Sequence, residues 1–150
     1  MASSVSEVRR RLNVEEPDYL VLARELGPAA ADALQVLVTD EDESVAAKAT
    51  YLASLLPGRA ETVALAARSA SPLVRVAAAG AAANLSEENL ELALTGLLDD
   101  ADAGVRRTAL RSATRRRVAV LRPKVQHMEE ADPENAVRIL ARGALSQWQD

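Results

Sequence analysis

Val45-Ala46-Ala47-Lys48-Ala49, Val74-Arg75-Val76-Ala77-Ala78 and Val105-Arg106-Arg107-Thr108-Ala109 are three copies of one phrase, with first residues 29 and 31 positions apart. A period near 30 residues is that of a small helical unit that cannot bury its apolar face alone, so the phrase predicts stacked repeats. Three positions before each valine stand Asp42, Ser71 and Asp102. Such side chains accept hydrogen bonds from the free amides of a first helical turn, and Pro72 occupies a first helical position, where a missing N–H costs nothing. The phrase therefore opens a helix, and its three copies open three helices in register.

Eleven positions before the same valines lie Leu34, Val63 and Leu94, and eight before lie Leu37, Ala66 and Leu97. Apolar residues three apart mark one face of a preceding helix, so each unit is a pair, A then B. The spacing extends both ways. Tyr19 and Ala23 repeat it toward the N-terminus after Glu16-Pro17, with Val8 eleven before Tyr19; Val137-Arg138-Ile139-Leu140-Ala141 repeats it toward the C-terminus after Asp132-Pro133. Five pairs follow, in one domain over 1–150: 4–12 with 17–26, 28–39 with 43–56, 59–69 with 72–85, 87–98 with 103–118, and 123–131 with 133–148. Gly27-Pro28 and Pro57-Gly58 punctuate two joints, and the stretch 119–131 fits the A pattern least well, with Pro123 interrupting the basic fourth B helix. The end pairs are atypical, as caps with one face toward water must be.

Composition agrees with an all-helical chain. Of 150 residues 49% are hydrophobic, mostly alanine, leucine and valine, with no Phe, two Tyr and one Trp. Alanine has the highest helix propensity, and small side chains let helices approach closely. No cysteine is present, which excludes disulfides and thiolate metal sites and makes the cytoplasm the expected compartment. Met1 to Arg11 carry three arginines and no apolar run, unlike a signal peptide. No segment approaches the roughly 18 apolar residues of a membrane span. Arginine supplies 16 of the 18 basic residues, a usage expected of a GC-rich bacterial gene.

Val-Arg-x-x-Ala after a capping Asp or Ser, on the second helix of a unit of this length, resembles the short HEAT-like repeats of phycobilisome-lyase-type bacterial proteins. The resemblance covers nearly the whole chain. It implies a right-handed α-solenoid with the B helices on the concave side, a role in binding other proteins, and no catalytic set. The second unit departs from it, because Ala46 stands where Arg75 and Arg106 stand in the next two.

Net charge is −4, unevenly spread: eight basic residues and no acid lie between Arg106 and Lys124, which leaves −12 on the rest. Arg75, Arg106 and Arg138 follow the first apolar residue of their helices and are expected to reach the capping aspartate of the preceding unit, Arg75 to Asp42 and Arg138 to Asp102. Arg107, Arg111 and Arg115, spaced by four, share another stripe. The equivalent stripe reads Ala47, Tyr51, Leu55, then Val76, Gly80, Asn84, then Ile139, Gly143, Gln147. The candidate partner surface is thus Arg107, Arg111 and Arg115 with Tyr51, Val76 and Gly80: arginine forks suited to carboxylates beside small apolar residues. The expected partner is a protein or peptide segment bearing acidic groups.

Two other readings compete. The same cluster could track the phosphates of a nucleic acid, although aromatic platforms for bases are missing. Alternatively the chain is an accessory subunit whose apolar ends pack on a larger assembly. The runs Asp40-Glu41-Asp42-Glu43 and Asp99-Asp100-Ala101-Asp102 lack the glycine turn and distal glutamate of a calcium loop and read as helix starts. With His127 the only histidine, no metal site, cofactor site or nucleophile–base pair is expected, and the chain reads as a non-enzyme. Trp148 is expected to cover the last repeat.

Overall fold

The computed structural model describes residues 2–149. They form ten α-helices: α1 (Val5–Leu12), α2 (Tyr19–Leu26), α3 (Ala31–Leu37), α4 (Glu43–Ser54), α5 (Ala60–Ala67), α6 (Pro72–Ala81), α7 (Glu87–Leu97), α8 (Ala103–Arg116), α9 (Arg122–Ala131) and α10 (Asn135–Gln147). Short 3-10 turns precede α3, follow α6 and precede α9. No strand occurs among the described residues. The capping residues act as the sequence predicts in the central units. Asp42 accepts from the N–H groups of Ser44 and Val45, Ser71 from that of Val74 and Asp102 from that of Val105.

The repeated phrase marks the core. Val45, Val74, Val105 and Val137 are at most 2% exposed, and the alanine four residues after each is at 0%. The helix before each phrase turns its predicted face inward, burying Leu34, Val63 and Leu94 together with Leu37, Ala66 and Leu97. Truncating one of these leucines to alanine would cost about 2–5 kcal/mol. Helices α4, α6, α8 and α10 pack on one another as an inner layer, whereas α3, α5, α7 and α9 meet their neighbours in the outer layer only locally. The B helices thus form the more closely packed of the two layers. The result is an α-solenoid of antiparallel helix pairs.

The end units slip out of this register. Helix α2 is capped by Asp18 rather than Glu16-Pro17 and buries Leu22 and Leu26, leaving Tyr19 and Ala23 only partly covered. Helix α9 buries Val125 and Met128, one residue out of phase with the outer helices before it, because the last unit is one residue longer. Pro123 sits harmlessly in the first turn of α9. The basic helix has already ended: Arg117 adopts a left-handed φ of 51°, and Val118 N–H donates to the carbonyl of Ala113 at 3.1 Å, closing a Schellman-type terminus. At the far end Trp148 packs against the C-terminal part of the core, as expected of a cover.

A ladder of ion pairs ties the units together, and it runs opposite to the predicted direction. Arg75 donates to both oxygens of Asp100 at 2.9 and 3.2 Å, and Arg106 to both oxygens of Asp132 at 2.9 and 3.0 Å. The arginines therefore reach forward to the next unit, not back to Asp42, and the acceptor is the aspartate two residues before the cap position. That residue also accepts an N–H two residues on: Asp100 from Asp102, Asp132 from Glu134. The third guanidinium nitrogen holds carbonyls of the arginine's own turn, Ser69 and Ala70 for Arg75, Asp100 and Ala101 for Arg106. At the first unit Arg9 of α1 supplies the same fork to Asp40. Arg138, expected at Asp102, instead bonds the carbonyl of Asp132 and the side chain of Asn135. Where Ala46 replaces the arginine, Ser69 replaces the aspartate, and an open space of about 280 Å³ lies between them.

These pairs shape the titration of the acids. Asp40 is held below the usual 3.8 by the hydrogen bonds from Arg9, supported by the Asp42 N–H. For Asp100 burial works upward, but the Arg75 fork and the Asp102 N–H outweigh it and the net shift is downward.

Candidate functional site

Helix α8 divides its arginines by helical phase. Val105, Ala109 and Ala113 face inward, which turns Arg106 toward α10 and its buried pair with Asp132. One residue further round, Arg107, Arg111 and Arg115 stand exposed at four-residue spacing. Among the described residues no carboxylate pairs with any of these three.

The other basic residues of the cluster are spent on structure. Arg116 donates to the carbonyls of Ala83 and Leu85, Arg122 to that of Trp148, and Lys124 pairs with Asp99. Of the eight, only the stripe of three and Arg117 remain uncommitted among the described residues, which removes much of the charge a phosphate track would use.

Arg111 and Arg115 flank a groove of about 280 Å³ between α8 and α10. Its α8 wall is Leu110 and Thr114, and its α10 wall is Ile139, Gly143 and Gln147, the stripe residues singled out in the sequence. Ile139 is 57% exposed. A Cβ added at Gly143 would meet nothing within 4 Å, so the missing side chain is groove space rather than a packing requirement. The site combines an apolar floor with two free guanidinium groups.

The remaining candidates lie elsewhere along the inner layer. Gly80 of α6 faces Thr108 of α8, whose Cγ2 would be 3.7 Å from an added Cβ, and Val76 is partly buried beside Gly104. Tyr51 of α4 stacks edge-on against Tyr19 of α2, with ring centroids 4.7 Å apart. It is two inner helices from the arginines, so the structure brings Arg111 and Arg115 together with Ile139 and Gly143 but not with Tyr51.

Among the described residues no cluster of three or more His, Cys, Asp or Glu is placed to share a metal ion, and His127 is exposed. No helix among them is long and apolar enough to cross a membrane. One cavity has no counterpart in the sequence reading: a groove of about 560 Å³ in the outer layer between α5 and α7. It depends on the gap between two splayed helices, which no periodicity in either helix reports.

No protein-family model matches the chain, and no curated protein does. Among solved structures, the complex of CpcE and CpcF of phycocyanin lyase from Nostoc sp. PCC7120 contains a similar chain, with a TM-score of 0.69 and 19% sequence identity over 94% of this chain and 97% of that one. At that identity the likeness is one of fold. With its paired helices, capped phrases and closely packed inner layer, this chain has the fold of a HEAT-like repeat solenoid.

Proposed function

We propose that the protein is a non-catalytic scaffold that binds a protein segment on its inner, B-helix layer, with the α8–α10 groove as the principal contact. Arg111 and Arg115 receive acidic side chains of the segment, Arg107 extends the charged edge, and Ile139 and Gly143 offer the floor for apolar ones. Val76, Gly80 and Tyr51 continue the contact toward α4. The observation that carries the reading is the contrast within one helix. Arg106 is locked into a buried pair, while three neighbours on the next stripe stay exposed without carboxylate partners beside an apolar groove. The similar solved chain is itself described in a complex of two proteins, which supports a protein partner here.

A hydrogen bond to a charged group contributes about 1.5–3 kcal/mol, so losing two anchored carboxylates weakens binding by on the order of 100-fold or more. The test is affinity capture from native cells with the wild-type chain and with Arg107→Glu/Arg111→Glu/Arg115→Glu, alongside far-UV circular dichroism. The reading expects specific capture by the wild type and its loss in the variant at unchanged helicity. Equal capture by both would contradict it.

A further inference from the structure

The two layers carry opposite charge. Helices α3, α5, α7 and α9 hold seven acids and two bases, whereas α4, α6, α8 and α10 hold nine bases and one acid. The acidic layer also contains the groove of about 560 Å³ between α5 and α7, with Ala64 and Ala93 in its floor and Leu92 and Gly96 on the α7 side. Leu92 is 71% exposed, more than any other large apolar residue among the described ones. An apolar groove rimmed by charge is the kind of surface on which a helix docks.

The groove has a charge direction. Glu61 stands at its α5 N-terminal end, and the first turn of α7 carries Glu87 and Glu88 at the same end of the parallel helix. At the opposite end lie Arg68 and Asp100, and the latter is already engaged by Arg75. The free charge along the groove is therefore acidic at the Glu61 end and basic at Arg68. The α5 lining runs from Ala60 to Ala67, close to two helical turns, about 10 Å of contact length.

We propose that this outer groove docks a second class of partner, a cationic amphipathic helix of another protein. Its apolar ridge of about two turns packs on Ala64, Ala93 and Leu92, and its lysines or arginines lie toward Glu61. The chain's own basic helix does not fit this role, because α8 is embedded in the stack through Val105, Ala109 and Ala113. With the inner groove taking acidic segments, the solenoid would present two faces of opposite preference.

The test uses the full chain and three fluorescein-labelled peptides of about four helical turns. One has a Leu/Ala ridge with lysines elsewhere, one keeps the ridge with glutamates, and one scrambles the lysine peptide so that no ridge forms. Gly96→Leu fills the groove, and since an added Cβ there meets nothing within 4 Å, the variant is expected to fold. Glu61→Lys reverses the rim charge. Saturable binding of the cationic ridge peptide is expected in fluorescence anisotropy, with about tenfold or greater loss for the other two peptides and for each variant. Arg111→Glu/Arg115→Glu should leave this binding unchanged, which separates the proposal from the inner-groove reading. Equal binding of the scrambled peptide, or full binding by Gly96→Leu, would overturn the proposal. So would sedimentation showing that the wild type self-associates and that Gly96→Leu abolishes it, since a second copy would then be the occupant.

Discussion

The guanidinium of Arg106 meets the carboxylate of Asp132 through two parallel hydrogen bonds of 2.9 and 3.0 Å, with both side chains at most 11% exposed. The pair joins the start of α8 to the turn before α10, and its remaining nitrogen holds two carbonyls of its own turn. It is thus both an inter-unit tie and a turn brace.

Removing one partner leaves a buried charge with nothing to answer it. Arg106→Ala is expected to destabilise the protein by about 3 kcal/mol, and Arg75→Ala by less because its pair is more exposed. Urea denaturation followed by circular dichroism measures both. A smaller loss for Arg106→Ala than for Arg75→Ala would contradict the ranking.

The ladder also sets the response to acid. Asp40 and Asp100 have folded-state pKa values below 3.8, so the stability they contribute is present above that value and is lost as pH falls through the lower folded values. The partner arginines are shifted further upward by the same aspartates and stay charged throughout this window. Unfolding free energy should therefore fall steeply below about pH 4. Asp100→Asn should be less stable at neutral pH and show a shallower fall in acid. An identical slope in the variant would rule out this source of acid sensitivity.

The interrupted rung offers a constructive test. Ala46→Arg alone places a cation without its acid, and Ser69→Asp alone an acid without its cation, yet together they recreate the pattern of Arg75 with Asp100. The double variant is expected to exceed the sum of the singles by about 1 kcal/mol or more in a double-mutant cycle. Strict additivity would show that the open space beside Ala46 is not an empty rung.

Much of this architecture is legible in the chain itself. Val45, Val74, Val105 and their alanines four residues on are predicted by helical phase and are buried, because burial on a regular helix follows spacing alone. The ladder's direction is also written in the chain: an aspartate recurs five residues before the valine at 40, 100 and 132, and it is absent at 69 just where the arginine is absent at 46. Choosing the cap residue instead of this one produced the wrong partners. The slip of α9 and the groove between α5 and α7 have no such trace. Both depend on how far adjacent helices stand apart, a tertiary quantity set by unit length and layer curvature. For the candidate site, phase placed Arg111 and Arg115 with Ile139 and Gly143, but the distant position of Tyr51 follows only from the stacking of α4.

The central claim is that acidic and apolar groups of a protein segment are held together in the α8–α10 groove. Its most direct measurement is the affinity, by fluorescence anisotropy, of a labelled peptide alternating glutamates and leucines for the wild type, for Arg111→Glu/Arg115→Glu and for Gly143→Leu. Gly143→Leu fills the groove without removing a charge, and its helix should gain stability from the loss of glycine. The account predicts saturable wild-type binding that drops by about 100-fold on charge reversal and by about tenfold or more on filling the groove, with both variants fully helical. Undiminished binding by either variant would contradict it.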